Sequence, residues 1–254
     1  MDALLQQFFN LDIMSRALPL ILQGLQMTLL LCLVVIPLGL IGGLIFALAS
    51  LSGSRTVRWG MIVAIDFFRA VPPLVLLIFA LASLSPSRTV RWGMIVAIDF
   101  FRAVPPLVLL IFVYSGLPFA GIRLSPLAAV ALAFFLNTSS YYGEIYRAGI
   151  ESVGRGQWDA ARSTGLSAFH TLTAVVLPQA IRNVLPDLVS NTVEVVKLTS
   201  IASVVALPEL LYSADMARSV TFNASPIVLA AAIYLVMLWP VVRLISRLER
   251  RMAS

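Results

Sequence analysis

Charge is scarce in this sequence, and several reactive residue types are nearly absent. Charged residues make up 12% of the 254 residues and hydrophobic residues 60%, whereas about a quarter of a soluble domain is charged. This composition excludes a soluble domain and indicates an integral membrane protein. Cys32 is the only cysteine and lies in an apolar run, which excludes an internal disulfide and predicts a packing role.

The sequence features of an enzyme are also missing. Lys197 is the only lysine, and it lies in no G-x4-G-K-[ST] loop, so we expect no ATP to bind to this chain in that manner. The sequence has no paired carboxylates, nucleophile elbow or metal-spaced His and Cys ligands, and we therefore expect no catalytic residue, metal site or cofactor in it. His170, the only histidine, is expected to be solvated or to contact a partner, rather than to relay protons.

What the sequence does have is long uncharged runs bounded by arginines. A membrane-spanning helix needs about 20 apolar residues, and several runs are that long. They are residues 17–54, 103–122, 124–143 and 219–242. Arginines cluster at the ends of these runs, which argues for membrane anchoring rather than nucleic-acid binding, and the basic tail after residue 242 predicts a cytoplasmic C-terminus. Residues 209–225 are polar enough to predict an external loop.

The first uncharged run carries a stripe of small residues. Gly39, Gly43 and Ala47 recur at every fourth position, and residues spaced in this way share one face of a helix. Small side chains on such a face let a second helix approach closely in lipid. We therefore expect the first span to pack tightly against a neighbour along this stripe.

A near-identical repeat is the least usual feature of the chain. Residues 44–79 match residues 77–112 at every position except one, where Gly53 corresponds to Pro86. Structural repeats that carry function are normally degenerate, because each copy meets a different environment, so we assign this duplication no function. One span between the two copies would place their arginine clusters on opposite sides, although both prefer the cytoplasm. Either the extra copy crosses the membrane and moves the N-terminus to the opposite side, or it does not cross. In the second case it lies at the membrane–water interface or enters and leaves the membrane on the same side.

A polar break separates the hydrophobic segments between Gln157 and Pro178. Its residues predict two short helices that meet at an elbow. Asp159 favours the first turn of a helix, Gly165 can adopt the left-handed conformation that ends one, and Ser167 can cap the next. Pro178 limits how the second helix continues.

The second helix of this elbow is amphipathic. At 100° per residue its apolar side chains fall on one side, whereas Ser167 and Thr171 fall opposite. The apolar side consists of Leu166, Phe169, Leu172, Val176 and Leu177. This pattern predicts a helix that lies on the surface and does not span the membrane.

The same stretch resembles a known motif. Asp159-Ala160-Ala161, three residues, Gly165, nine residues and Val175-Val176-Leu177-Pro178 resemble the cytoplasmic loop of ABC importer permeases, whose pattern is E-A-A-x3-G-x9-I-x-L-P. The spacing matches at every step, with Asp for Glu and Val for Ile. The run from Tyr141 to Ile150 is similar to the Y-x-x-E-I-x-R-x-G-I run of the polar amino acid branch, the permeases of the histidine, glutamate, glutamine and arginine kind.

The resemblance implies an all-α fold and a single permease domain over residues 1–254. The fold would be a polytopic membrane helical bundle of the type I ABC importer kind, with about five core transmembrane helices plus the duplicated segment. Residues 155–178 would be a cytoplasmic coupling elbow that docks on an ATPase subunit. The docking residues implied are Asp159, Ala160, Ala161, Gly165, Leu177 and Pro178.

The resemblance also implies partners and a location. Two ABC ATPase subunits would bind the ATP and magnesium, so that this chain needs no cofactor of its own. A second permease subunit, identical or different, and a periplasmic or extracellular amino-acid-binding protein would complete the transporter. The chain would cross the bacterial cytoplasmic (inner) membrane several times, with its C-terminus inside, and would bind no nucleic acid.

A polar stripe follows the elbow. The polar side chains of residues 186–200 share one face of a helix, and a charge at the bilayer centre costs on the order of 3 kcal/mol, so this face must meet protein or water. Glu194 and Lys197 can pair at i, i+3, either as a structural ion pair or in the lining of a translocation path. The candidate path residues are Asn191, Glu194, Lys197, Thr199, Ser200, Tyr141 and Glu144. Lys197 to Ser200 resemble the K-D-T-S motif of the family, with Leu198 where Asp is common.

Two functions therefore compete. The first is the permease subunit of an importer for a polar amino acid, driven by ATP hydrolysis in a separate subunit. The second is a stand-alone secondary transporter or channel that uses Glu194 and Lys197 as its coupling site. Secondary transporters usually have more spans built as two matched halves, which favours the first function.

Overall fold

Helices are the only regular elements in the part of the chain that the structure describes. This computed structural model describes residues 2–51 and 100–252, and those two ranges contain no strand. The α-helices are α1 (Asp2–Phe8), α2 (Leu11–Leu51), α3 (Pro106–Ile111), α4 (Pro126–Ser152), α5 (Arg155–Ser163), α6 (Ala168–His170), α7 (Leu177–Leu198), α8 (Leu210–Thr221) and α9 (Ser225–Met252). Shorter helical turns extend some of them: π-helical Phe112–Gly116 and 3-10 Leu117–Ala120 after α3, π-helical Thr171–Val176 after α6, and 3-10 Thr199–Val205 after α7. The all-α prediction is confirmed.

Three stretches within these ranges are long and apolar enough to cross a membrane. They are Asp2–Leu48, Ala168–Val205 and Ser225–Arg243. A shorter apolar stretch covers Pro106–Ala120, and α4 contains the uncharged run that ends before Glu144. Helices suit a bilayer because each satisfies its own backbone polar groups. Beyond the three long stretches, the expected count of about five spans rests on this shorter stretch and on α4.

The chain forms two compact units, each built from separated pieces of sequence. The first unit comprises Met1–Pro37, Pro106–Phe134 and Val189–Ser254, and the second unit comprises Leu38–Pro105 and Phe135–Leu188. The helices α2, α4 and α7 contribute residues to both units. These long helices are therefore covalent connections between the units.

In the first unit, α2, α8 and α9 meet in an apolar core. Its buried members are Ala17 and Ile21 of α2, Leu210, Ala214 and Ala217 of α8, and Ala230 of α9. Alanine at most of these positions lets the helices approach closely. The Asn10 amide donates to Ser225 Oγ over 2.9 Å, so α2 and α9 begin side by side and run in the same direction.

A buried carboxylate begins α8. Glu209 is fully buried and accepts hydrogen bonds from the backbone amides of Leu211 over 2.8 Å and Tyr212 over 2.7 Å. Tyr234 Oη of α9 donates to the same carboxylate over 3.3 Å. Burial raises the pKa of Glu209 above its usual range, and the amide hydrogen bonds oppose that shift. Glu209 thus caps α8 and ties it to α9.

The loop expected at residues 209–225 is a helix over most of its length, and its external location stays a prediction. α8 occupies Leu210–Thr221, and Leu210 and Ala214 are fully buried. The segment has a polar composition because Asp215 and Arg218 form an exposed ion pair with 2.7 Å between Oδ1 and Nε. Its apolar residues recur at helical spacing, and that periodicity indicates a packed helix where composition indicates a loop.

In the second unit, α2 and α4 come into close backbone contact. A Cβ added at Gly43 would overlap the backbone of Tyr142 and Gly143, and a Cβ at Gly39 would overlap the Thr138 side chain. Only glycine leaves room for this approach. The predicted stripe of small residues is confirmed at both glycines.

Most of the repeat lies outside the described residues. The structure describes residues 44–51 of the first copy and residues 100–112 of the second. Asn137 Nδ2 of α4 donates to the carbonyl oxygen of Phe101 over 3.2 Å, so this part of the second copy packs on α4. The conflict between the two arginine clusters, and the absence of a function for the duplication, stay predictions.

The same substitution at two glycines tests the contact between α2 and α4. Gly43→Ala should lower the free energy of unfolding by about 1–3 kcal/mol, because the new methyl group overlaps backbone that cannot move aside. Gly116→Ala adds an identical group whose nearest neighbour is the Phe112 ring at 3.4 Å, and its effect should stay within about 1 kcal/mol. Thermal unfolding of the detergent-solubilised proteins measures both. Equal unfolding midpoints for the two variants would contradict the close approach.

Candidate functional site

Gly165 makes the bend in the elbow, residues 155–178. α5 ends at Ser163, and the Gly165 amide donates to the Arg162 carbonyl oxygen over 3.0 Å. Gly165 has φ +87°, in the left-handed region that glycine occupies without the steric cost of a Cβ. The predicted helix-ending glycine is confirmed.

Ser167 caps the helix that follows the bend. Its Oγ accepts a hydrogen bond from the His170 amide over 3.3 Å and lies 2.8 Å from His170 Nδ1. The His170 ring is exposed and meets the Phe169 ring edge-on, with 5.8 Å between centroids. The predicted cap is confirmed, and His170 lies at the surface of this chain, as expected.

Asp159 lies one turn later in its helix than predicted. α5 begins at Arg155, so Asp159 falls in the second turn and not the first. The helix starts early because Gly154, with φ −56° and ψ 141°, is an acceptable residue before the first turn. Asp159 and Ala160 are exposed, whereas Ala161 is buried within the chain. One of the two adjacent alanines is therefore available to a partner.

Pro178 does not end the second helix of the elbow. The chain continues from α6 through the π-helical turn into α7, and the apolar stretch runs unbroken from Ala168 to Val205. The prediction of a separate surface helix is therefore wrong. Proline lacks an amide hydrogen and clashes with the carbonyl four residues earlier in an α-helix. The wider π-helical turn, with its i to i+5 pattern, ends at Val176, two residues before Pro178, and a wider turn at this place suits the proline ring.

The π-helical turn also changes which side chains are buried. Thr171 and Val176 are fully buried, whereas Phe169 is 69% exposed. Even spacing of 100° per residue placed Thr171 on the polar side and Phe169 on the apolar side, and both assignments are wrong. A π-helical turn holds an additional residue, which rotates the face that follows it relative to the face before. The proline at the end of the turn is the sequence feature that could have indicated it.

The elbow is fixed against the end of α4. Ile150 of α4 and Val153, which directly follows α4, form a buried cluster with Val176 and Ala180, and Leu177 packs at its edge. A hydrogen bond of 3.3 Å from Gln179 Nε2 to Gln157 Oε1 joins α7 to α5. The side that remains outward, here called the exposed elbow face, consists of Asp159, Ala160, Gly165, Phe169 and Pro178.

The predicted polar stripe is present on α7, and its charged side chains are exposed. The side chains of Glu194 and Lys197 are 66% and 52% exposed and form an ion pair with 2.5 Å between Oε1 and Nζ. Both partners belong to α7, so this pair does not bridge α7 to another helix. Asp187 and Ser190 on the same helix are also exposed. In a bilayer such a face requires a further protein surface or water.

The polar residues beside this pair bond largely to their own helix. Thr199 is buried, and its Oγ1 donates to the Val196 carbonyl oxygen over 2.7 Å. Ser200 Oγ donates to the Lys197 carbonyl oxygen over 2.8 Å. Asn191 Nδ2 is buried and has no hydrogen-bond partner among the described atoms. Asn191 therefore has an unused donor beside the exposed stripe.

Tyr141 and Glu144 belong to a charged cluster in the second unit. Arg147 donates to Glu144 Oε2 over 2.9 Å and to Glu151 Oε1 over 2.7 Å, and Arg102 Nη1 lies 4.0 Å from Glu144 Oε2. Tyr141 Oη donates to the Arg102 carbonyl oxygen over 3.3 Å, and the Arg102 guanidinium lies 5.6 Å from the centroid of the tyrosine ring. The hydrogen bond from Arg147 lowers the pKa of Glu144, so Glu144 is ionised at neutral pH.

Only part of this charged cluster could be predicted from the sequence. Arg147 lies three residues after Glu144 and four residues before Glu151, a spacing that predicts both pairs on one helix. Arg102 is distant in sequence, and its place in the cluster was not predicted. The candidate path residues fall in different units. Asn191, Glu194, Lys197, Thr199 and Ser200 lie in the first unit, and Tyr141 and Glu144 lie in the second. No three His, Cys, Asp or Glu side chains within residues 2–51 and 100–252 are grouped as metal ligands would be.

Comparison with known proteins shows sequence relatives along most of the chain. Residues 79–254 match the family described as binding-protein-dependent transport system inner membrane component. The probable amino-acid ABC transporter permease protein YckA of Bacillus subtilis is 32% identical over 230 residues, which cover 90% of this chain and 87% of that protein. The arginine transport system permease protein ArtQ of the same organism is 28% identical over 249 residues, 96% of this chain and 99% of its own length.

Solved structures share the fold. A crystal structure of an amino acid ABC transporter with histidines matches with a TM-score of 0.73 and 31% identity, over 94% of this chain and 96% of that chain. An inward-facing structure of the MetNI methionine ABC transporter matches with a TM-score of 0.64 and 14% identity, over 92% and 96%. The second likeness concerns the fold alone. Together with the family match, these structures confirm the predicted type I importer fold.

The bend at Gly165 can be tested with a matched pair of substitutions. A Cβ at Gly165 or at Gly156 would meet no atom within 4 Å, so the two sites differ only in backbone conformation. Gly165→Ala should destabilise the elbow by about 1–2 kcal/mol, because alanine is strained in the left-handed region. Gly156→Ala should stabilise α5 by up to about 1 kcal/mol. Hydrogen exchange of the α5 amides should become faster in the first variant and slower in the second. Slower exchange in both would contradict the left-handed bend.

Proposed function

The chain belongs to the family of binding-protein-dependent transport system inner membrane components, and we propose on that basis that it is the permease subunit of an ABC importer for a polar amino acid. Family members are inner membrane components, and this chain has several helices long and apolar enough to cross a membrane. It is therefore a multi-pass inner membrane protein. The amino acid substrate is supported by the relatives, which are named as amino-acid and arginine permeases. The basic tail that begins at Arg243 supports a cytoplasmic C-terminus.

The elbow is the observation that carries this proposal. It combines the spacing of the permease loop motif with a bend at Gly165 and an outward face that nothing in the described chain covers. We infer that an ATPase subunit docks here, with Ala160 allowing close approach, Asp159 offering a charge to pair and Phe169 filling an apolar pocket. Leu177 and Pro178 hold the face in position: Leu177 packs against the end of α4, and Pro178 accompanies the π-helical turn. Ala161 is buried and supports the elbow from within.

ATP hydrolysis is assigned to that partner. The chain has no phosphate-binding loop in its sequence, so ATP and magnesium would bind to the ATPase subunit and this chain would act as a transport subunit without enzymatic activity. An external amino-acid-binding protein would deliver the substrate. Selectivity for a particular amino acid would then be shared between that protein and the permease.

The polar stripe is proposed to face a second permease subunit and the translocation path. Glu194 and Lys197 are more than half exposed and carry charge that lipid would not accept, while Asn191 has an unpaired donor beside them. A polar amino acid carries both an ammonium and a carboxylate group, which a paired carboxylate and ammonium in the protein can complement. Thr199 and Ser200 directly follow α7 in the sequence and are proposed as path residues with it. Tyr141 and Glu144 are proposed as further path residues on the strength of the family resemblance.

One measurement separates this proposal from a stand-alone secondary transporter. The chain should be purified together with its ATPase and reconstituted into vesicles with the external binding protein. Uptake of a polar amino acid should require ATP on the side of the ATPase and should be abolished by vanadate. Uptake that persists without ATP and follows an ion gradient would contradict the importer function.

Gly165→Asp should uncouple transport from ATP hydrolysis. The substitution places a Cβ and a charge where the chain needs a positive φ and a close approach to the partner. The variant should insert in the membrane, while substrate-stimulated ATPase activity should fall about ten-fold or more, which corresponds to about 1.4 kcal/mol of lost coupling. Gly156→Asp adds the same charge to α5 without the positive φ, and it should retain most of the activity. Normal substrate-stimulated ATPase activity in Gly165→Asp would contradict the proposal that the ATPase subunit docks on the elbow.

Two substitutions on α7 distinguish a path from a structural ion pair. Glu194→Leu leaves Lys197 without its partner, and transport should fall about ten-fold or more. Adding Lys197→Met removes the unpaired charge, and we expect the double variant to assemble normally and still fail to transport. Asp215→Leu is a matched control, because Asp215 forms a comparable exposed i, i+3 pair with Arg218 in α8, and it should leave transport nearly unchanged. Recovery of transport in the double variant would show that Glu194 and Lys197 form a structural ion pair and do not line the path.

A further inference from the structure

An apolar crevice opens between α2 and α9 on the outside of the first unit. It has a volume of about 480 Å³ and is lined only by hydrophobic side chains. Leu25 and Leu29 of α2 form one wall, and Leu229, Ala232, Ile233 and Val236 of α9 form much of the other. Leu29 is 50% exposed and Val236 is 75% exposed, so the described chain leaves the crevice open along its length.

Two arginines continue the same face of α9 beyond the crevice. At 100° per residue, Arg243 and Arg247 each fall about 20° from the direction of Val236. Both side chains are exposed. Arg243 is about 10 Å further along the helix than Val236 at 1.5 Å per residue, and it is the first charged residue after the uncharged run 219–242. The crevice therefore lies at hydrocarbon depth, and the arginines lie where lipid headgroups begin.

Trp239 stands between the crevice and the arginines. It is 56% exposed, and the Arg243 guanidinium lies 5.5 Å from the centroid of its ring. Tryptophan is favoured at the boundary between hydrocarbon and headgroups, and the contact with its ring orients the guanidinium. A linear site results, apolar at one end, aromatic at the level of the boundary and doubly positive at the other.

We infer that this site binds one anionic phospholipid, with an acyl chain in the crevice and the phosphate on Arg243 and Arg247. The order of the groups along α9 matches the order of groups along a lipid, and basic pockets beside membrane helices bind anionic headgroups in this way. A zwitterionic lipid would fill the crevice equally well but would gain less at the arginines. A second copy of the chain seated on the crevice would instead exclude lipid.

Quenching of Trp239 fluorescence by brominated lipids tests the site. The purified transporter complex should be reconstituted in phosphatidylcholine vesicles that contain a minor fraction of dibrominated phosphatidylglycerol or, for comparison, dibrominated phosphatidylcholine. The same measurement on Trp239→Phe subtracts the contribution of all other tryptophans. Phosphatidylglycerol should quench Trp239 at a several-fold lower fraction than phosphatidylcholine, since each arginine near the surface is worth about five-fold in binding an anionic lipid.

Matched variants assign the effect to the two ends of the site. Arg243→Gln combined with Arg247→Gln should abolish the preference for phosphatidylglycerol while general quenching remains. Ala232→Phe should fill the crevice and reduce quenching by both lipids. Ala231→Phe adds the same ring about 140° away from Val236 on α9 and should change nothing.

Several results would overturn the inference. Equal quenching by the two lipids would show that the site does not prefer an anionic lipid. A preference that survives the double arginine substitution would show that Arg243 and Arg247 do not bind the headgroup. Unchanged quenching in Ala232→Phe would show that the acyl chain does not occupy the crevice. No quenching of Trp239 by either lipid would mean that a protein surface covers the site. If Ala232→Phe fails to assemble, the arginine variant alone decides the question.

Discussion

The structure depends on how closely α2 approaches its neighbours. Apolar side chains gain little by leaving lipid for one another, so helices in a bilayer associate through packing and hydrogen bonds. In the first unit, a Cβ at Gly24 would overlap Ser213 and the Glu209 carbonyl oxygen; in the second, one at Gly43 would overlap the backbone of α4. The approach at Gly24 brings polar groups within hydrogen-bond distance, and the Leu210 amide donates to Thr28 Oγ1 over 3.0 Å. A larger residue at Gly24 would move these two groups apart.

One helical stretch carries part of the exposed elbow face and the pair of Glu194 and Lys197. From Ala168 to Val205 the apolar stretch is uninterrupted, so Phe169 and Pro178 of the exposed elbow face are joined to Glu194 and Lys197 by continuous helical backbone. A separate surface helix would have ended at Pro178 and left a joint between the two. The π-helical turn removes that joint. Phe169 is thus connected to α7 by helical turns and not by a loop.

Local signals in the sequence were sufficient for much of the fold and part of the site. The bend at Gly165, the cap at Ser167, the small-residue stripe and the ion pair of Glu194 with Lys197 each depend on residues within a few positions of one another. The failures arose where distant contacts or irregular turns decide the outcome. Thr171, where the π-helical turn begins, is buried although even helical spacing placed it on the polar side, and the charges of α8 concealed its apolar face. Arg102 joins Glu144 across a sequence separation that no local pattern reports.

Two glutamates show what decides whether a carboxylate is buried or exposed in this chain. Glu209 stands before the first turn of α8, where backbone amides have no partner within the helix, and it can be buried because Leu211 and Tyr212 donate to it. Glu194 stands within α7, where the amides are already bonded to carbonyl oxygens one turn earlier, so the helix offers it nothing beyond the side chain of Lys197. One carboxylate is satisfied by its own chain and fixes a packing contact. The other remains exposed on a face that lipid would not cover favourably, so the position of a carboxylate along its helix, more than its charge, decides whether this chain satisfies it or leaves it at the surface.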